Sequence, residues 1–108
     1  MINVLIVDDQ KPIRDGLQTM LSQFPLPIDN VYSAAHGLEA LHILRQTSIQ
    51  LVITDIRMPD MDGLALMART KEERIRVEYV IISGYSDFAY AQKAIALGAK
   101  GYLLKPVK

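Results

Sequence analysis

Three carboxylates, an ammonium and a hydroxyl stand at the ends of short apolar runs. Asp8 and Asp9 close Asn3-Val4-Leu5-Ile6-Val7. Asp55 closes Leu51-Val52-Ile53-Thr54, Ser83 closes Glu78-Tyr79-Val80-Ile81-Ile82, and Lys105 follows Gly101-Tyr102-Leu103-Leu104. Brought to one place, three carboxylates repel, and at least one pKa has to rise. A hard divalent cation removes the conflict. Mg²⁺ favours one or two protein carboxylates and completes its octahedron with waters and phosphate oxygens. Lysine adds a compact charge suited to a phosphoryl oxygen. A carboxylate beside Mg²⁺ and a lysine can attack phosphorus and form an aspartyl phosphate. Metal and ammonium would then stabilise charge on the equatorial oxygens of the transferring group.

The elements that must position these groups follow from patterning. Apolar runs of this length, rich in β-branched residues and closed by Pro, Asp or Gly, read as buried strands. Ile56 to Gly63, with Pro59, Asp60 and Asp62, reads as the loop after the Asp55 strand. Pro12 suits the first turn of a helix, in which Ile13, Leu17, Met20, Leu21 and Phe24 form one buried stripe. Phe24-Pro25-Leu26-Pro27 ends it, and a weaker strand is expected around Asn30 to Ala34. Gly37 precedes a helix with Leu38, Leu41 and Leu44 inward. Another helix starts near Asp62, with Leu64, Leu66 and Met67 as its apolar positions, and Lys71 to Arg76 is a solvated connection. Asp87 can cap a last helix whose core stripe is Phe88, Ala91 and Ile95, ended by Gly98.

Strictly alternating strands and helices predict an α/β fold: a parallel sheet with right-handed crossovers and helices on both faces. The C-terminal ends of its strands share one edge, where ligands gather. The sequence stops two residues after Pro106, where a covering helix is expected. The sheet face there is expected to be apolar and uncovered, which favours association between copies, a homodimer included.

The 108 residues make one domain, half hydrophobic, with formal net charge zero. That balance argues against direct nucleic-acid binding by this domain. Cysteine is absent, so thiolate chemistry and disulfides are excluded. No apolar stretch reaches the length of a membrane span and no signal pattern opens the chain, so a cytoplasmic location is expected.

With these residues in place, the chain resembles a response-regulator receiver domain of two-component systems. The matching pieces are Leu5-Ile6-Val7-Asp8-Asp9, Asp55 with Met58-Pro59 and Met61-Asp62-Gly63, Ser83-Gly84, and Tyr102-Leu103-Leu104-Lys105-Pro106. They span nearly the whole chain in order, so residues 1–108 read as one receiver domain, truncated before its final helix. The resemblance implies a flavodoxin-like, doubly wound five-stranded sheet of order 2-1-3-4-5. It implies that Asp55 accepts a phosphoryl group from a sensor histidine kinase. Asp9, Asp55 and the Arg57 backbone carbonyl would bind Mg²⁺ directly, with Asp8 acting through water. Lys105 would anchor the phosphoryl group, and Ser83 and Tyr102 would be the switch pair. Lys105-Pro106 is commonly a cis bond in that family.

Ser83 to Ala91 and the Tyr102 to Pro106 stretch further resemble regulators carrying an AraC-type DNA-binding domain. The surface of the Asp87-Leu97 helix and the last strand would then be read by an output domain or partner protein. As a switch, the Ser83 hydroxyl would move to a phosphoryl oxygen, draw in Gly84-Tyr85-Ser86 and let Tyr102 turn inward.

Other chemistries fit less well. In Asp60-Met61-Asp62-Gly63 the first Asp follows Pro59 rather than a strand, unlike the Asp-x-Asp of phosphohydrolases. An EF-hand loop would need ligands where Met58 and Arg69 stand. No Gly-x-Gly-x-x-Gly or Walker motif is present. Read alone, Asp8-Asp9 also fits a helix cap with a neighbouring solvated charge, and Tyr102 fits plain core as well as it fits a switch. His36 and His42 lack ligand spacing and read as surface residues. A receiver-like docking module that is never phosphorylated is the rival from another class.

Overall fold

The computed structural model describes residues 1–84 and 88–105, the side chain of Phe88 excepted. Strands and helices alternate along the chain. They are β1 (Ile2–Val7), α1 (Lys11–Ser22), β2 (Ile28–Ala34), α2 (Gly37–Gln46), β3 (Leu51–Asp55), α3 (Gly63–Glu72), β4 (Glu78–Ser83), α4 (Phe88–Ala96) and β5 (Gly101–Leu104). The strands form one parallel sheet in the order β2-β1-β3-β4-β5. The expected doubly wound architecture is therefore present.

Alternation along each strand sorts side chains to the two faces. Leu5, Val7, Val52 and Ile81 pack with Leu41, Leu44 and Leu66 on one face. Val4, Ile6, Ile53 and Ile82 pack with Leu17 and Leu21 of α1 on the other. Because β1 is covered on both faces, Val4 to Val7 are all fully buried. Each such side chain contributes about 1.5–3 kcal/mol on leaving water. Strand β5 is the least covered: Tyr102, Leu103 and Leu104 are 37–40% exposed.

Register then decides what meets at the rim. Val7 pairs with Thr54, Asp55 with Ile82, and Ser83 with Leu104. The residues that follow Val7, Thr54 and Leu104 therefore leave the sheet at nearly the same height. Those residues are Asp8, Asp55 and Lys105.

Helix ends are set by local chemistry. Asp62 Oδ1 accepts the Ala65 N–H at 2.8 Å and caps α3. His36 caps α2, its Nδ1 accepting from the Glu39 N–H at 3.2 Å, while Glu39 Oε1 reaches back to the Ala35 N–H at 2.6 Å. The arrangement is a variant of the capping box, with Glu39 reaching the residue before the cap rather than the cap itself. Helices α3 and α4 both end in a Schellman motif. In α4 the left-handed residue is Gly98 (φ 112°), with the Ala99 N–H on the Ala94 carbonyl. In α3 it is Arg74 (φ 60°), with the Ile75 N–H on the Thr70 carbonyl.

Some expectations need correction. Phe24 is 48% exposed because α1 ends at Ser22 and the chain has left the helix before reaching it. Leu38 is 52% exposed, and Ala40 takes the inward place. Steps of three walk about 60° around a helix, so Leu38 and Leu44 stand about 120° apart. Ile95 is 41% exposed because the α4 stripe runs through Ala91 and Ala94. Strand β2 begins at Ile28, earlier than expected. The expected Asp87 cap, the Phe88 side-chain contact, the Tyr85-Ser86 loop and the Lys105-Pro106 bond lie outside the described residues.

Candidate functional site

At the end of β1 the chain turns sharply, and Asp8 is held from two sides. Its Oδ1 accepts the Gln10 N–H at 2.9 Å, and Arg14 Nη1 donates to its backbone carbonyl at 2.7 Å. Its Oδ2 is buried and makes no hydrogen bond. Lys105 Nζ lies 3.3 Å from that oxygen, an ion pair without hydrogen-bond alignment. Lys105 is itself fixed by its N–H on the Ser83 carbonyl at 2.8 Å.

Asp55 ends β3, and Lys105 Nζ donates to its Oδ2 at 3.0 Å. The Arg57 N–H stands 3.4 Å from Asp55 Oδ1, a long contact. The ladder continues past Asp55 through the Ile56 N–H on the Ile82 carbonyl, and the Gly63 N–H closes the loop on the Ile56 carbonyl. Glycine is required at Gly63, where a Cβ would stand 2.8 Å from the Asp55 carbonyl oxygen. It is equally required at Gly37, where a Cβ would stand 2.5 Å from that of Met61.

Asp8 is fully buried, Asp55 is 5% exposed, and Asp9 is exposed. A carboxylate oxygen from each lies within 4.8 Å of the others. Burial raises the pKa of Asp8, with the Asp55 charge adding to it, against the Gln10 N–H and Lys105. Burial also raises that of Asp55, against its hydrogen bond and attraction to Lys105. For Lys105 burial alone would lower the pKa. The hydrogen bond and charge of Asp55, joined by Asp8, outweigh it and raise the pKa. The ammonium is thus held charged, yet it does not compensate both buried acids.

That imbalance tests whether a cation fits. An all-oxygen donor set within 4.8 Å and a buried carboxylate oxygen that accepts no hydrogen bond suit a hard divalent ion such as Mg²⁺. The Ser83 hydroxyl at the same rim is also buried without a hydrogen-bond partner. Tyr102 is 40% exposed on β5, opposite Ile81. A cavity of about 550 Å³ opens at the far edge of the sheet, between Met67, Ile75, Val77 and Leu97.

The sequence profile of the response regulator receiver domain matches residues 4–108. The chain belongs to the receiver-domain family of response regulators. It is 41% identical over 107 residues to an uncharacterized response regulatory protein of Staphylococcus epidermidis, covering 99% of this chain and 42% of that protein. It is 35% identical over 106 residues to the uncharacterized transcriptional regulatory protein YesN of Bacillus subtilis, covering 98% of this chain and 29% of that one. The receiver chain therefore spans less than half the length of these curated relatives. Among solved structures, a two-component transcriptional regulator AraC from Clostridium phytofermentans superimposes with TM-score 0.86 at 35% identity. That match covers 100% of this chain and 84% of that one. A receiver domain protein from Clostridium thermocellum gives TM-score 0.86 at 30% identity, covering 100% and 85%.

The receiver rim gathers Asp8, Asp9, Asp55 and Lys105, with Ser83 adjacent. Sequence reasoning missed what holds them: Gln10 and Arg14 on Asp8, and the glycines that let the Asp55 loop pack. The acid-rich turn gave Arg14 away only by its place one helical turn into α1. No signal marked Tyr90, whose ring lies under the Arg57 guanidinium.

Proposed function

We propose that this receiver domain is a phosphorylation-dependent switch that takes a phosphoryl group from a sensor histidine kinase onto Asp55. The observation that carries the reading is the Lys105 ammonium, 3.0 Å from Asp55 Oδ2 and 3.3 Å from Asp8 Oδ2. An ammonium shared between two buried acids is costly unless the site has charge to manage. Asp9, Asp55 and the Arg57 carbonyl would hold Mg²⁺, with Asp8 assisting through water. When bound, the ion would neutralise charge on the transferring phosphoryl oxygens.

The remaining roles fall to the chain itself. Lys105 favours the ionised form of Asp55 against burial and orients it as a nucleophile. The Asp55 carboxylate forms the new O–P bond as the donor's P–N bond breaks, and the imidazole leaves with the bonding electrons. Lys105 then moves with the charge onto a phosphoryl oxygen. The Ser83 hydroxyl, free of other partners, donates to another. Its displacement opens space beside β5, into which the exposed Tyr102 ring turns. The face of α4 and β5 changes shape, and an output domain or partner protein reads it. Names of relatives such as transcriptional regulatory protein HptR of Staphylococcus aureus support control of transcription as the output. An AraC-type DNA-binding domain and a cytoplasmic location belong to the same reading. Among the described residues no helix is long and apolar enough to cross a membrane.

Incubation with a small phosphodonor and Mg²⁺ should give an acid-stable, base-labile adduct on Asp55, seen by intact mass and lost in Asp55→Asn. No adduct on the folded chain would favour a docking module that is never phosphorylated. Ser83→Ala should retain the adduct but lose the β5 response. Equal loss of both would remove Ser83 from the switch.

A further inference from the structure

The Arg57 guanidinium lies over the Tyr90 ring, 5.4 Å from its centroid, and Lys93 Nζ approaches the same ring at 5.7 Å. Arg57 stands two residues past Asp55, with its amide nitrogen 3.4 Å from Asp55 Oδ1. Tyr90 and Lys93 belong to α4. The contact therefore joins the acidic rim to α4 through Arg57. Resting on the reading of Asp55 as a phosphoacceptor, we propose that the Arg57–Tyr90 stack is a phosphoryl-sensitive tether on α4. A phosphoryl group on Asp55 draws the guanidinium off the ring and releases the helix.

The strengths of the competing contacts give the direction. Tyr90 is 37% exposed, and a cation over an exposed ring supplies a bias of only about two- to fivefold. Lys93 weakens it further, because two cations on one ring repel each other. A phosphoryl group brings about −1.5 to −2 charge and oxygens that match the planar guanidinium fork. Arginine paired to such oxygens is held by charge-assisted hydrogen bonds far stronger than the stack. When Arg57 leaves, Lys93 remains to cover the ring. Ring and phosphoryl group compete for one guanidinium, so each must weaken the other's hold.

The test is binding of beryllium trifluoride, a phosphoryl mimic, in Mg²⁺, followed through the Ala91 and Ala94 amide resonances of α4. Tyr90→Leu should tighten binding about two- to fivefold, and Tyr90→Phe, which keeps the ring face, should match the parent. Arg57→Met should weaken binding, and adding Tyr90→Leu to it should change nothing more. In the free protein, Arg57→Met and Tyr90→Leu should move the two α4 resonances in the same direction. The tether is overturned if Tyr90→Leu leaves affinity unchanged, if its effect persists in Arg57→Met, or if Tyr90→Phe behaves as Tyr90→Leu. Binding that Asp55→Asn abolishes but Tyr90→Leu ignores removes the tether and keeps the phosphoacceptor. No binding by the parent chain removes both.

Discussion

Adding one methyl group at Gly63 should damage the site more than the same addition at Gly16 helps the fold. At Gly63 the new Cβ would meet the Asp55 carbonyl oxygen at 2.8 Å and the Ile56 Cα at 3.1 Å, where ordinary contact begins at 3.4 Å. Both are main-chain atoms of the strand end and loop, so no rotamer change relieves the clash. Overpacking of this kind costs about 1–3 kcal/mol. Gly63 opens α3, so little helix propensity is regained there. At Gly16, inside α1, a Cβ meets nothing within 4 Å. Alanine there should add about 0.5–1 kcal/mol. In a domain of this size each kcal/mol moves the melting point by about 4–8 °C. Thermal and urea unfolding should thus show opposite shifts for Gly63→Ala and Gly16→Ala. The displaced Asp55 carbonyl should also slow adduct formation in Gly63→Ala beyond any loss of folded protein. A Gly63→Ala variant that is as stable and as reactive as the parent would refute the account of the loop.

Further outcomes follow from other contacts. Arg74→Gly should stabilise the domain by about 1 kcal/mol in urea titrations, because a side chain at φ 60° costs that much where glycine does not. Asp8 and Asp55 carry pKa values raised above those of the unfolded chain. Their contribution is therefore greatest at acid pH and is lost as pH rises through their titration. Urea stability without divalent ions should fall as pH rises above the ordinary carboxyl value of 3.8, and Mg²⁺ should restore it; Asp8→Asn should flatten the fall. Lys105, also raised, holds its contribution until the pH passes its ordinary value of 10.5. Burial pushes the Tyr79 phenol up to about 12, against its hydrogen bond with Thr70 at 2.8 Å. Stability should decline as pH rises from 10 towards 12, and Tyr79→Phe should reduce that decline, at a cost near neutrality of about 1 kcal/mol for the lost hydrogen bond.

The sheet was legible because β1, β3 and β4 are buried enough to read as unbroken apolar runs. Each ends in a chemically distinct residue, which made Asp8, Asp55 and Ser83 visible before any geometry was known. Helix faces were less legible. At Leu38 and Ile95 a leucine or isoleucine lies one position off the inward line, and an alanine fills the tight place beneath. Composition favours the larger residue, whereas packing close to the sheet favours the smaller. Phe24 misled because the stripe was extended past the last helical turn. His36 gave no sign of capping, since a histidine without ligand spacing looks like any exposed residue. The hold of Arg14 on Asp8 and of Tyr90 on Arg57 depends on which way long side chains lie, and that is settled only by the fold.

The Lys105–Asp55 contact joins residues fifty positions apart, and Asp8 enters from a third strand. No fragment of the chain can assemble this trio. On the reading of Asp55 as phosphoacceptor, a nascent or partly melted molecule would offer only a solvated aspartate without its ammonium neighbour. Competence to receive a signal would then be acquired together with the native sheet, and signal uptake would also act as a check that folding has finished.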